Sequence, residues 1–118
     1  MDFHGQPVGQ LDNGHLRLEY LANGGPRIVR LMLPGSDFNL LAEMPDRAVK
    51  TIYGEYHFWG GHRLWHAPEI LPRTYIPDDT GLEVTPLEDG VRLLQPVEAP
   101  TGIQKSMEIR LLPERAAV

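Results

Sequence analysis

The sequence predicts an all-β domain, an antiparallel β-sandwich, and three observations lead there. Eleven prolines and twelve glycines cut the 118 residues into short pieces, so no interval offers an uninterrupted amphipathic helix. Several pieces alternate apolar and polar side chains with a period of two, as a half-buried strand does. These candidate strands recur at spacings of about ten residues and are joined by Gly and Pro turns, a pattern that favours a sandwich over a parallel α/β sheet.

Taken in order, His15 to Leu21 follows the turn Asn13-Gly14 and places Leu16, Leu18 and Tyr20 on one side, with His15, Arg17 and Glu19 on the other. A second turn, Asn23-Gly24-Gly25-Pro26, predicts a hairpin whose returning strand, Arg27 to Leu33, carries Ile28, Val29, Leu31 and Leu33. Asn39 to Ala42 is an apolar piece of ambiguous secondary structure, with Leu40 and Leu41 expected to cover one end of the core. Later, Leu82, Val84 and Pro86 alternate with polar neighbours, and Gly90 precedes Val91 to Leu94. Ile103, Lys105, Met107, Ile109 and Leu111 define the longest strand candidate, with Gln104, Ser106, Glu108 and Arg110 on its other face. Lys105, on the apolar face, is expected to snorkel to an edge.

Length and composition set the class. Residues 1–118 suit a single domain, because a second core would have too few residues. The formal net charge of −5 is spread without a basic stripe, so a nucleic-acid partner is not expected. The chain has no cysteine, which excludes disulfides, thiolate catalysis and cysteine-held zinc, and agrees with a reducing, cytoplasmic location. No apolar run approaches the roughly 18 residues of a membrane span, and the N-terminus lacks the charged and apolar parts of a signal peptide. Ser36 and Ser106 have no nucleophile-elbow context, and Gly24-Gly25 leads into proline and a strand rather than a helix, which disfavours a phosphate-binding loop. No cofactor is expected.

The segment Tyr53 to Glu69 is the unusual one, holding both tryptophans and three of the five histidines. Flat aromatic faces stack on sugar C–H surfaces, while Arg, His and Glu direct hydrogen bonds to hydroxyls, so the mixture suits a carbohydrate cleft. Gly60 and Gly61 permit a sharp turn or close approach of the backbone. The alternative is that Trp59 and Trp65 plug the core with Arg63 and the histidines on its rim. His57, His62, His66 and Glu69 are all able to ligate a metal, but their spacing matches no known signature, and no metal is expected. His62 or His66 with Glu69 is an acid–base pairing that the segment offers.

At Gly60-Gly61 followed by Arg63-Leu64-Trp65 the chain resembles the galactose-mutarotase-like superfamily, which includes aldose 1-epimerases and an uncharacterised bacterial group of sugar-binding proteins. The family pattern is His-Gly-Gly and, a few residues on, Arg-x-Trp; here Trp59 stands in the His position and the spacing to Arg63 is shorter. Asn13 to Leu18, Gly24 to Leu31 and Pro96 to Ile103 extend the likeness along most of the chain. The resemblance implies the N-terminal portion of a larger mutarotase-like sandwich, truncated before the later strands that carry the family's acid histidine and base glutamate. It further implies a carbohydrate-binding module without catalysis, holding a sugar or sugar-derived molecule through Trp59, His62, Arg63, Trp65 and Glu69. Two other readings stand beside it. One is an epimerase-type enzyme in which His62 or His66 protonates the ring oxygen and Glu69 abstracts the anomeric proton. The other is an assembly module that forms a dimer or other homo-oligomer by pairing the edge strand Ile103 to Leu112 with another copy.

Overall fold

Short strands ended by Gly and Pro have to find partners by turning back on themselves, and every ladder among the described residues is antiparallel. The computed structural model describes residues 2–118. Its strands are β1 (Asp2–Phe3), β2 (Gln6–Asp12), β3 (Arg17–Leu21), β4 (Arg27–Met32), β5 (Glu43–Thr51), β6 (Gly54–Gly60), β7 (His62–Arg63), β8 (Glu83–Leu87), β9 (Gly90–Leu94) and β10 (Ser106–Arg110), with one 3-10 turn at Arg73–Tyr75. They form three sheets, ordered β1-β2-β3-β4-β7, β10-β9-β8 and β5-β6. No helix among the described residues is long and apolar enough to cross a membrane.

The expected first hairpin is present as β3 and β4, but β3 is not half-buried. Leu18 and Tyr20 pack with Val91, Leu93 and Ile109 of the β10-β9-β8 sheet, while Leu21 packs the other way with Phe3, Val29 and Trp59. Glu19, expected on a solvent face, is therefore only 4% exposed. Its charge is met by Arg30, whose Nη1 donates to Glu19 Oε1 at 2.7 Å while the guanidinium lies 4.9 Å from the Phe3 ring. The register shifts between Glu19↔Arg30 and Tyr20↔Ile28, so Val29 is the extra residue of a bulge and turns into the second cluster beside Trp59.

Other expectations give way for local reasons. Leu40 is 53% exposed rather than covering the core, because a polar side chain organises that loop. Asn39 Oδ1 accepts from Leu31 and Leu41 N–H, each at 3.0 Å, and Asn39 Nδ2 donates to Val29 O at 2.9 Å. Leu33, 48% exposed, falls beyond the end of β4. Val84 and Pro86 stand opposite Leu93 and Val91, on the core face as expected, yet both are exposed because β8 is an edge strand beyond the covering sheet. The longest strand is β5, with nine residues, and not the C-terminal one. β10 begins only at Ser106 because Glu98 N–H donates to Ile103 O at 2.8 Å, drawing the preceding residues into a turn. β5 gave no alternation to read since it is mostly exposed, and its ladder with β6 shifts register between Met44 and Ala48, around Pro45, which has no N–H to donate. In β2, Gly9 faces Tyr20, and a Cβ there would sit 2.2 Å from the phenol ring.

Leu93 is fully buried between two sheets, so Leu93→Ala is expected to cost about 2–5 kcal/mol in urea unfolding, whereas Val84→Ala, on the same face at the open edge, should cost roughly 0.5 kcal/mol.

Candidate functional site

Trp59, Gly60 and Gly61 are consecutive residues with positive φ, at 56°, 95° and 73°. A Cβ on Gly60 would stand 2.1 Å from Ala42 O, and one on Gly61 2.0 Å from Ile28 O, so both positions require glycine for conformation and for space. This left-handed step carries the chain out of β6, which pairs with β5, and into β7, which pairs with β4. Its consequence for the site is a division. Trp59 turns into the core beside Phe3, Leu21 and Val29, 9% exposed, while the residues after the step form a separate surface.

That surface is built on two buried arginines that face each other across the β4–β7 ladder, Arg27 and Arg63. Arg27 Nη1 donates to Phe58 O at 2.5 Å and Gly60 O at 3.0 Å, and Nη2 donates to Tyr56 Oη at 2.7 Å. Asp78 Oδ2 lies 3.7 Å from the same Nη2. Burial pushes the Asp78 carboxyl above its ordinary range despite the opposing charge of Arg27, and the phenol of Tyr56 is raised mainly by burial too.

Among the described residues Arg63 has no carboxylate within ion-pairing distance. Its donors reach only Leu64 O and Thr74 O, both at 3.4 Å, and its guanidinium lies 4.0 Å from the Trp65 ring, 4.9 Å from Tyr56 and 5.6 Å from Tyr75. Burial lowers its basicity, Arg27 acts in the same direction, and Tyr56, Asp78 and Glu69 oppose. A guanidinium remains charged under such a shift. Its aromatic cage leaves donor capacity unspent beside a shallow groove of about 150 Å³ whose lining includes Arg27, Met44, Phe58, His62, Arg63 and Trp65.

Of the side chains singled out in the sequence, the fold thus brings His62, Arg63 and Trp65 together. Trp65 is 52% exposed and stands as a wall rather than a core plug. Glu69 reaches the group through Tyr75, whose hydroxyl donates to Glu69 Oε1 and whose ring meets Trp65 edge-on at 5.9 Å. Trp59 is not in the groove; its indole Nε1 donates to Asp79 Oδ1 at 3.3 Å on the far side of the step.

The histidines do not converge. His57 Nδ1 lies 2.6 Å from Asp79 Oδ2 and its Nε2 3.1 Å from Glu55 Oε1. His66 Nε2 lies 3.4 Å from Glu98 Oε1, and neither His62 nor His66 is within hydrogen-bonding distance of Glu69. Among the described residues no three His, Asp or Glu side chains stand together as a metal site. The acid–base pairing of His62 or His66 with Glu69 is absent from this geometry because Glu69 is turned to Tyr75 and His66 to Glu98.

Arg27, Tyr56, Phe58, Tyr75 and Asp78 complete the site and were not legible as such. Tyr56 and Phe58 at least lie in the aromatic segment Tyr53 to Glu69; for Arg27 the signal was that it shares a period-two face with Val29 in an apolar strand, where an arginine has to be met by buried acceptors. Lys105 also departs from expectation. Its side chain is 12% exposed and turns inward, Nζ lying 3.4 Å from Glu98 Oε2. Burial alone would raise Glu98, but hydrogen bonds from Thr101 and Gln95 and the charge of Lys105 hold it below the ordinary carboxylate value. No family model, curated protein or solved structure was found to match the chain.

Two outcomes follow from these charges. Arg27→Ala leaves Asp78 buried without its cation and the Phe58 and Gly60 carbonyls without a donor, and is expected to cost about 3–5 kcal/mol by chemical denaturation. Glu98, depressed in the folded state, contributes stability that is present above its unfolded pKa and is lost as the pH falls through its folded one. Denaturation measured from neutral pH down through the carboxylate range should therefore show the wild-type advantage over Glu98→Gln shrinking on acidification.

Proposed function

We propose that the chain is a carbohydrate-binding module with the fold of the N-terminal part of a galactose-mutarotase-like sandwich, and that it binds a single sugar or sugar-derived ring without transforming it. The observation that carries the reading is the half-exposed Trp65 ring standing over an Arg63 guanidinium with unspent donors, next to exposed His62. An apolar ring face suits the C–H surface of a pyranose, and the guanidinium and imidazole suit its hydroxyls or an anionic substituent. The groove is smaller than the roughly 300–1,000 Å³ of sites for larger ligands, which favours one ring over a chain of them.

The resemblance around Gly60, Gly61, Arg63 and Trp65 supports the same reading for Arg63 and Trp65, while Trp59, turned into the core by the glycine step, is left out of it. Phe58 lines the groove, and Tyr75 packs behind it against Phe58 and Trp65 with its hydroxyl on Glu69. The absence of a histidine–Glu69 contact weighs against epimerase chemistry at this groove.

Isothermal titration calorimetry against a panel of aldoses, uronic acids and sugar phosphates is expected to give heat with at least one member. Trp65→Ala should weaken that binding by about 1–3 kcal/mol, by analogy with other stacking platforms, while leaving the unfolding midpoint nearly unchanged. No heat with any of them at millimolar concentration, from a folded sample, would overturn the reading.

A further inference from the structure

The sheet β10-β9-β8 has an open side at β10, and its backbone geometry shows what that side offers. Gln95 N–H donates to Lys105 O at 3.1 Å, and Gln95 continues the register Ser106↔Leu94. The alternation of an antiparallel ladder then turns the polar backbone groups of Lys105, Met107 and Ile109 toward β9, and those of Ser106, Glu108 and Arg110 outward. Among the described residues no loop or tail takes up these outward groups. The edge is closed only at Leu112, whose N–H donates to Ala117 O at 2.9 Å. That closure is held by Asn13, whose Nδ2 donates to Leu112 O at 2.7 Å and to Arg115 O at 2.8 Å.

Beneath the open edge runs an apolar groove of about 620 Å³, its walls including Leu18, Ile28, Leu31, Leu41, Met107 and Ile109. It lies on the core face of β10, where the inward side chains of one more strand would go. An edge with unpaired backbone groups over an apolar groove is a site for strand addition, and the side chains of β10 specify which strand.

We propose that this strand is β10 of a second copy, paired antiparallel about a two-fold axis through Ile109. That register sets Glu108 opposite Arg110 of the other copy, twice by symmetry, Met107 opposite Leu111, again twice, and Ile109 opposite itself. Met107, Ile109 and Leu111 of each copy then lie over the other's groove, and the paired segment stops at Leu111, short of the closed position at Leu112. Moving the axis to Glu108 would place two like charges directly opposite, which is destabilising. The acid and base on this strand are therefore self-complementary in one register, a property that a foreign strand would have to match. In the isolated chain Glu108 and Arg110 bond each other at 3.2 Å and their neighbours Arg92 and Asp89 at the exposed surface, so little is lost when they exchange partners. The proposal does not rest on the sugar reading, although His62 lines both grooves.

Sedimentation velocity on the wild-type chain from micromolar to millimolar concentration is expected to show a monomer–dimer equilibrium. Glu108→Arg sets two guanidinium groups opposite each other across the two-fold axis, and Arg110→Glu sets two carboxylates there, so each variant alone should dimerise about tenfold more weakly. Mixing the two restores opposite charges at every cross-copy position, and should give a heterodimer at least as strong as the wild-type dimer. A change confined to one chain's own fold cannot produce that recovery, and circular dichroism reports whether each variant is folded. A wild-type chain that stays monomeric throughout, or folded variants whose mixture remains monomeric, would overturn the proposal. If either variant fails to fold, the wild-type dimer decides through strand-selective hydrogen exchange: added protection at Glu108 and Arg110 amides supports the register, and unchanged exchange there refutes it.

Discussion

The fold turns on the guanidinium of Arg27. Its Nη1 holds the carbonyls of Phe58 and Gly60, its Nη2 holds the Tyr56 hydroxyl, and Asp78 approaches at 3.7 Å, so one side chain ties β4 to the end of β6 and to the loop before β8. A buried cation with so many acceptors fixes geometry more than it adds stability, because desolvation cancels much of the attraction. Its position also sets that of Arg63, its neighbour across the ladder, which shares the same buried surroundings without sharing a carboxylate.

From that arrangement the division of the aromatic residues follows. The left-handed step at Trp59, Gly60 and Gly61 needs the close approaches to Ala42 and Ile28 that the β4–β7 and β5–β6 pairings supply. A tryptophan at positive φ is costly, and its burial with Phe3, Leu21 and Val29 offsets the cost. Past the step the chain presents Arg63 and Trp65 to a different surface, so adjacent aromatic residues perform different tasks: Trp59 closes a core, and Trp65 borders a groove.

Several charged groups recur in the interior as opposite-charge pairs rather than as surface decoration. Glu19 with Arg30, Asp78 with Arg27 and Glu98 with Lys105 each occupy a place where two layers or a layer and a loop meet. A chain of this size has a small core, and such pairs cost stability if either partner is removed, which makes them markers of register and loop position. The two apolar clusters, one on each face of the five-stranded sheet, carry the remainder.

Alternation and turn chemistry were enough to read the β class, the first hairpin and the positions of β9 and β10, because those features depend on neighbours within a few residues. β1, β2 and β5 were not legible: the first two are short or contain proline and glycine, and β5 has too little burial to alternate. Of the candidate site, His62, Arg63 and Trp65 stood out by composition; Tyr56 lies in the same segment without being told apart from its neighbours, and Arg27, Tyr75 and Asp78 lie outside it and are brought in by the fold. Sequence by itself determined the strand-rich character, the lack of thiol chemistry and the concentration of aromatic and histidine side chains between Tyr53 and Glu69. Only tertiary structure decided which of those side chains face a groove and which fill the core, since that choice depends on the sign of φ at three consecutive residues and on backbone contacts to β4 and to the loop before β5.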